Sequence, residues 1–404
     1  FGKNGYTALD WYDAPDPRPD YYRNLPSYFY MDNTDYNRRN FAKYAWAKEA
    51  WETDLPSTTH INWDRLYAVN SLNSTASGNR SKYVIEERRV DQNDLNFAVN
   101  AKWNPVKFLT VNGGLSYKWN RTEYYKILDD LLGGDYYVNI DQFAERDFAA
   151  YPTMIQNDLD YYLKNGAAQT LAQGDRYGYD YYAHVRRAEA WASGRFTFGG
   201  LEATVAGRLG YSKFWREGLL RKGLFPGLDD NGNPFTYNGE IITKYDQIDG
   251  RPITSKGESD KKDFLTGSGK INLGYFISGG HRIYAAAAYI TEAPTFNQAF
   301  ISPRTRNTVM PDLKTIKTLT ADINYAYSNS GYDVRVTGFY TSIKDQTDVM
   351  SFYDDSQNSF TNFAMSGIDE RHVGVELGFK VPTPVPNLSL QGVFTYGQYI
   401  HYSH

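Results

Sequence analysis

The stretch Leu201-Glu202-Ala203-Thr204-Val205-Ala206-Gly207-Arg208-Leu209-Gly210-Tyr211-Ser212 decides the fold. Leu201, Ala203, Val205, Gly207, Leu209 and Tyr211 make one row; Glu202, Thr204, Ala206, Arg208, Gly210 and Ser212 make the other. Side chains that alternate with period two give one apolar and one polar face, which is a β-strand. Just upstream, Phe196 and Phe198 hold the same apolar phase, and Gly199-Gly200 separates them from Leu201. A glycine pair between two alternating rows supplies the backbone freedom of a tight hairpin.

The pattern recurs four times. Leu95, Phe97, Val99, Ala101 and Trp103 turn through Asn104-Pro105-Val106-Lys107 into Leu109, Val111, Gly113, Leu115, Tyr117 and Trp119. Ile271, Leu273, Tyr275 and Ile277 cross Ser278-Gly279-Gly280-His281 into Ile283, Ala285, Ala287 and Tyr289. Leu319, Ala321, Ile323, Tyr325 and Tyr327 cross Ser328-Asn329-Ser330-Gly331 into Tyr332, Val334, Val336, Gly338 and Tyr340. Val373, Val375, Leu377, Phe379 and Val381 cross a Pro-rich turn into Leu388, Leu390, Gly392, Phe394 and Tyr396. Ten strands follow, with a broken one before Trp11. Short turns alternate with long polar connections near 120–190, 212–263, 291–317 and 341–371. That rhythm predicts an all-β, transmembrane antiparallel β-barrel with long extracellular loops and short periplasmic turns.

Composition agrees with this and excludes other classes. The longest apolar run, Ile283 to Ile290, is far short of the roughly 20 residues of a membrane helix, whereas a barrel strand crosses with about 9–11 residues of which half face lipid. Net charge is −4 and the basic residues are dispersed among acidic ones, so nucleic acid is not an expected partner. There is no cysteine, hence no disulfide framework or thiolate metal site. The chain opens at Phe1 without a hydrophobic leader, as expected if a signal peptide has been removed or the chain begins inside a longer protein. Aromatics are 16% of the sequence and gather at both strand ends: Trp103, Tyr325, Tyr327 and Tyr332 at the short turns, Tyr117, Trp119, Tyr211, Tyr289 and Tyr340 at the long loops. Two such belts mark the two membrane interfaces. A soluble β-sandwich would also alternate, but it would not sort its connections by length, and its core would favour bulk where Gly113, Gly207, Ala285, Ala287, Gly338 and Gly392 stand.

Ala293-Pro294-Thr295-Phe296-Asn297-Gln298-Ala299-Phe300, followed by Met310-Pro311-Asp312-Leu313-Lys314 and a strand with Asp322-Ile323-Asn324-Tyr325, resembles a signature of TonB-dependent outer-membrane receptors. In that family an A-P-x-F-x-E-L-F-like stretch precedes an N-P-x-L-K-x-E segment; here Gln298-Ala299, Met310 and Ile316 depart from it. The opening from Gly5 to Tyr22, Leu132-Gly133-Gly134-Asp135-Tyr136-Tyr137, Asp141 to Asp147, Phe214 to Gly218 and Gly374 to Gly378 resemble the SusC-like subgroup, the opening as one of its outer loops. The resemblance implies a 22-stranded barrel occluded by an N-terminal plug, coupling to the TonB energy-transducing complex, and a SusD-like surface lipoprotein or other outer-membrane proteins as partners. It implies import of an oligosaccharide or peptide. Residues 1–404 then correspond to a barrel segment without the plug, set in bacterial outer-membrane lipid.

No catalytic constellation, metal site or cofactor motif is legible, so no enzyme activity and no cofactor are expected. Gly267-Ser268-Gly269-Lys270 lacks the upstream Gly and following Ser or Thr of a phosphate loop, and Asp229-Asp230-Asn231-Gly232-Asn233 lacks the spacing of a calcium loop and reads as a turn. The polar rows are expected to line a wet lumen, with Lys102, Lys118, Arg208, Arg335 and Glu376 facing a plug. Tyr124, Tyr125, Tyr136, Tyr137, Tyr177, Tyr179, Tyr181 and Tyr182 cluster in the expected loops between 120 and 190 and are candidate substrate contacts, because tyrosine offers a rigid stacking face and a hydroxyl. Loop self-packing accounts for them equally well. The leading function is solute import across the outer membrane; the alternative is a non-transporting structural or binding barrel within an outer-membrane assembly.

Overall fold

The computed structural model describes residues 2–30, 40–247, 249–354 and 359–403. Eleven strands follow one another in chain order: β1 (Gly2–Trp11), β2 (Tyr83–Val106), β3 (Leu109–Asp130), β4 (Arg176–Phe198), β5 (Leu201–Gly218), β6 (Lys262–Ile277), β7 (His281–Glu292), β8 (Ile316–Asn329), β9 (Tyr332–Asp354), β10 (Ser359–Pro382) and β11 (Ser389–Ser403). Each pairs antiparallel with the next, giving one meandering sheet with β1 and β11 at its edges, to which the two-residue strand Gly257–Glu258 adds a twelfth member against the end of β5. The five expected hairpins are β2–β3, β4–β5, β6–β7, β8–β9 and β10–β11. Their turns are as short as the sequence implies. At Ser330-Gly331 both residues have positive φ (52° and 84°), the type I′ geometry whose twist matches that of the flanking strands.

Register puts the predicted rows on two faces. The outer face carries Leu115, Ala190, Leu209 and their neighbours: Val111 opposes Gly194, which opposes Val205, which opposes Ile271. Leu115, Leu209 and Ile323 are each more than 60% exposed there, an apolar expanse far larger than a water-soluble sheet tolerates. Across five strands Ala101, Gly113, Ala192, Gly207 and Gly269 line up in register. Most of them line a shallow apolar depression of about 680 Å³. The inner face carries the alternating polar residues.

Three expectations are corrected. The strands run far past the apolar rows: β2, β3 and β4 have 24, 22 and 23 residues, about twice what crossing needs. The connection expected near 341–371 is mostly strand, since β9 reaches Asp354 and β10 starts at Ser359. The opening from Gly5 to Tyr22, expected as an outer loop, instead begins with β1, the strand expected in broken form before Trp11, which pairs along residues 83–92 of β2. The long connections are therefore 12–82, 131–175, 219–261 and 293–315.

Beyond the membrane rows the alternation inverts its polarity. On β4 the outer positions change from Ala192, Ala190 and Ala188 to Arg186, His184 and Tyr182, and the inner ones from Glu189 and Arg187 to Val185, Ala183 and Tyr181. On β5, Lys213, Trp215 and Glu217 turn outward and Phe214 inward. The inversion marks the level at which the outer face leaves hydrocarbon for water and the inner face becomes covered by loops. The apolar rows from Leu109 to Trp119 and from Leu201 to Tyr211 thus fit one bilayer crossing.

This assignment makes neighbouring positions on β6 opposites. In the full-length protein, Ile271→Arg should lower stability against denaturant in phospholipid bilayers by about 2–4 kcal/mol, because it sets a guanidinium in hydrocarbon. Asn272→Arg, on the inner face, should stay within about 1 kcal/mol of wild type. Equal costs would overturn the assigned faces.

Candidate functional site

The strand extensions and two outer connections build a cap over the inner face. The Ala293–Phe300 motif is read directly in its geometry. Thr295 and Gln298 form a reciprocal capping box around the one-turn helix α1 (Phe296–Ala299), which explains why Gln serves at that position. The turn delivers Phe296, Ala299 and Phe300 onto Tyr181, Ala183 and Phe214 of β4 and β5. Met310 donates its N–H to the Ala299 carbonyl at 2.7 Å and is itself buried.

Two buried cations pin the cap, with no carboxylate in an ion pair to either among the described residues. The Arg216 guanidinium donates to the carbonyls of Pro303 (2.6 Å) and Ser255 (2.7 Å) and to Asn307 Oδ1, joining both connections to β5. The Lys222 ammonium donates to Asn157 Oδ1 at 2.7 Å and to the Gly178 carbonyl at 2.5 Å. Burial pushes the Lys222 amine down to about 8 from 10.5. Between the connections lies a cleft of about 660 Å³ lined by Arg251, Asp260, Lys262, Asn307 and Asp312 among others.

A second charged centre joins β1, β2 and β3. Lys126 Nζ lies 2.6 Å from Asp10 Oδ2 and 2.8 Å from Glu86 Oε2, and the Tyr177 hydroxyl donates to the same carboxylates at 3.0 and 3.1 Å. Burial opposes ionisation of Asp10, but Lys126 outweighs it and holds the carboxyl below its usual range. Sequence reading missed this centre and both buried cations, since each group belongs to a different element. The inverted alternation was the available signal.

The eight candidate tyrosines separate by environment. Tyr124 and Tyr125 lie on β3, and Tyr177, Tyr179, Tyr181 and Tyr182 on β4, not in loops as expected. Tyr125, Tyr137, Tyr177 and Tyr181 are buried at 6% exposure or less. Tyr137 and Tyr177 pack edge to face, and Tyr181 is stacked between Tyr124 (5.0 Å) and Phe296 (6.4 Å). Their side chains are core. Tyr136, Tyr179 and Tyr182 keep part of their surface, as does Tyr124; Arg304 lies 5.1 Å from the Tyr179 ring and Arg121 4.8 Å from that of Tyr182. Register brings Tyr124 to the inner face and Tyr182 to the outer.

Lys102, Lys118, Arg208, Arg335 and Glu376 all fall on the inner face. They sit in a mesh of mixed sign. Arg208 reaches Glu189 (3.3 Å) and Glu292 (3.8 Å), Glu202 lies between Arg195 (2.9 Å) and Arg282 (3.5 Å), and Lys118 is 3.6 Å from Asp94. Arg335 bonds Asn324 and Thr337, both at 3.3 Å. The two motif-like stretches have structural roles: Gly267–Lys270 lies inside β6, and Asp229 accepts the N–H groups of Asn231 and Asn233 in a turn. Among the described residues, no group of three or more His, Cys, Asp or Glu could hold a metal ion.

Lys222 gives the cap a pH signature. With the folded pKa below the unfolded one, the unfolded segment binds more protons between about pH 8 and 10.5, so stability rises with pH across that window. Hydrogen exchange in residues 219–261, corrected for its intrinsic rate, should show stronger protection at pH 9.5 than at 7. Lys222→Met should flatten this slope, and an unchanged slope would assign it to other groups.

The TonB dependent receptor-like, beta-barrel family model matches residues 2–403. No curated protein matches the sequence. Among solved structures, the copper transporter OprC is similar at 14% identity, covering 78% of this chain and 38% of that one, with a TM-score of 0.48. The FrpB iron transporter from Neisseria meningitidis follows at 12%, 80%, 40% and 0.44, and the ferric citrate transporter FecA at 11%, 80%, 37% and 0.47. The chain thus spans 37–40% of the length of these structures. With its two-faced strands, aromatic belts and a family match over nearly its whole length, the chain belongs to the TonB-dependent receptor-like β-barrel family of the outer membrane.

Proposed function

We propose that the chain is the wall and outer cap of a TonB-dependent transporter that captures a scarce solute outside the cell and passes it into the periplasm. The observation that carries this reading is the inner face: it holds paired charges of both signs along its length, while the outer face is apolar over one bilayer crossing. A wall of that kind suits a lumen packed against a polar plug, which Lys102, Lys118, Arg208, Arg335 and Glu376 would contact. Further strands pairing on the edges β1 and β11 would close the barrel, to 22 strands by the SusC-like resemblance, because unpaired backbone groups are costly in hydrocarbon. An occluded lumen has no continuous water path, so passage needs work on the plug, supplied through the TonB complex.

The SusC-like motifs favour an oligosaccharide or a peptide as solute and a SusD-like lipoprotein over the cap. The cleft at Arg251, Asp260 and Lys262 has the volume of an ordinary ligand pocket, and the partly open rings of Tyr124 and Tyr179 offer stacking surfaces. The second reading, a non-transporting barrel in an outer-membrane assembly, would use the same cap to hold a protein. Binding and uptake of a panel of oligosaccharides and peptides, measured side by side in cells with and without an uncoupler, separate the two. Uptake should stop on de-energisation while surface binding persists. Uncoupler-insensitive uptake would sink the transporter reading, and a protein partner retained without any solute would favour the assembly component.

A further inference from the structure

We infer that Lys244 and Arg306, where three outer connections of the cap meet, bind an oxyanionic group: a carboxylate, phosphate or sulfate. The connections converge on the ring of Phe225, which is buried. Arg306, from residues 293–315, lies with its guanidinium carbon 5.0 Å from the centre of that ring, and Lys244 Nζ, from residues 219–261, lies 5.5 Å from it. The same ammonium stands 4.5 Å from the ring of Phe148, which arrives from residues 131–175. Two like charges therefore share one aromatic ring.

What marks the pair is that nothing neutralises it. Among the described residues, neither Lys244 Nζ nor the Arg306 guanidinium has a hydrogen-bond acceptor or a carboxylate in an ion pair, and Arg306 Nε is buried without a partner. The other cations of residues 219–261 are provided for. Arg221 and Lys256 meet Asp160 at 2.8 and 2.6 Å, Arg251 meets Asp249 at 2.6 Å, Lys261 meets Glu258 at 2.8 Å, and Lys222 is held by neutral oxygens. Two carboxylates face the pair from farther away. Asp147 is bonded to Arg146 at 2.8 and 2.9 Å, and Asp246 acts on Arg306 without forming an ion pair. Burial, and then the charge of Arg306, hold the Lys244 amine below its ordinary range; burial does the same to Arg306. A ring face attracts a cation more weakly than a full negative charge does, so Phe225 and Phe148 position the two groups without neutralising them. Both cationic residues are half-buried, which leaves them within reach of the medium.

The donor set selects the class of ligand. A guanidinium offers paired N–H groups that match two oxygens of one anion, and an ammonium adds a point charge with freely rotating donors. Carboxylate, phosphate and sulfate supply such oxygens; chloride and neutral hydroxyl groups do not. The anion can come from an acidic group on the captured solute, which rests on the import reading above, or from a free inorganic ion that fastens the three connections, which does not.

The test uses the full-length protein in non-ionic detergent at constant ionic strength. Its probes are inorganic phosphate, chloride, a carboxylated oligosaccharide and its carboxyl-reduced neutral counterpart. Thermal unfolding and hydrogen exchange in residues 219–261 and 293–315 report binding, because a ligand that binds only the folded form stabilises it. Phosphate is kept too dilute to stabilise folded proteins in general. Wild type should unfold at a higher temperature in phosphate than in chloride, or should bind the carboxylated oligosaccharide more tightly than the neutral one. The first result assigns the site to a free ion and the second to the solute. Lys244→Gln with Arg306→Gln should weaken the binding by about 100-fold, at about ten-fold for each charge-assisted hydrogen bond lost. Lys256→Gln, which removes a paired cation from the same connection, should stay within about two-fold of wild type. A wild type that responds alike to phosphate and chloride and binds both oligosaccharides alike overturns the inference, even if the double variant fails to fold. So does undiminished binding in a folded double variant. Uptake is read separately, so import that ignores an uncoupler would sink the transporter reading and leave this site standing.

Discussion

Everything in this structure depends on continuous backbone pairing between consecutive antiparallel strands. In hydrocarbon no water can satisfy an unpaired amide, so a spanning strand must find both neighbours. Once pairing is fixed, side-chain placement has no freedom: a one-residue slip would exchange the faces of an entire strand. The short turns lock that register. From β2 to β10 it runs with shifts confined to strand ends and to the bulges near Val106 and Gln346.

The same pairing serves two solvents. Over one bilayer crossing the outer side must be apolar and the inner side can be wet; above it the outer side meets water and the inner side meets folded loops. The strands continue unbroken through this boundary while the alternation changes phase, at Trp119 on β3, Arg186 on β4 and Lys213 on β5. The transition is where the cations and aromatic rings concentrate, because only amphipathic side chains suit both environments. The strand extensions turn what would be a rim into a platform, and the cap is built on it by Phe296, Phe300, Arg216 and Lys222.

Burial of cations held by neutral oxygens is an unusual choice in the cap. Arg216 and Lys222 hold backbone carbonyls and asparagine oxygens that would otherwise go without donors, at the cost of desolvating a charge. Such a fastening is sensitive to pH, in contrast to the partly exposed pairs of the inner wall, where each charge contributes little by itself.

The sequence alone determined the strands, their faces and their hairpins, because period two, turn glycines and belt aromatics are local properties of the chain. It also placed Lys102, Lys118, Arg208, Arg335 and Glu376 on one face, as parity along a paired strand requires. Strand ends were not legible: past Trp119 the polarity inverts, and a tyrosine on a covered inner face looks the same in sequence as one in a loop. Tyr177 and Tyr181 therefore read as loop residues although they are core residues of a strand. Only the tertiary structure could bring Asp10, Glu86 and Lys126 together, or set Arg186 between Trp119 and Trp215, since these groups lie on separate strands and meet through register between neighbours distant in sequence.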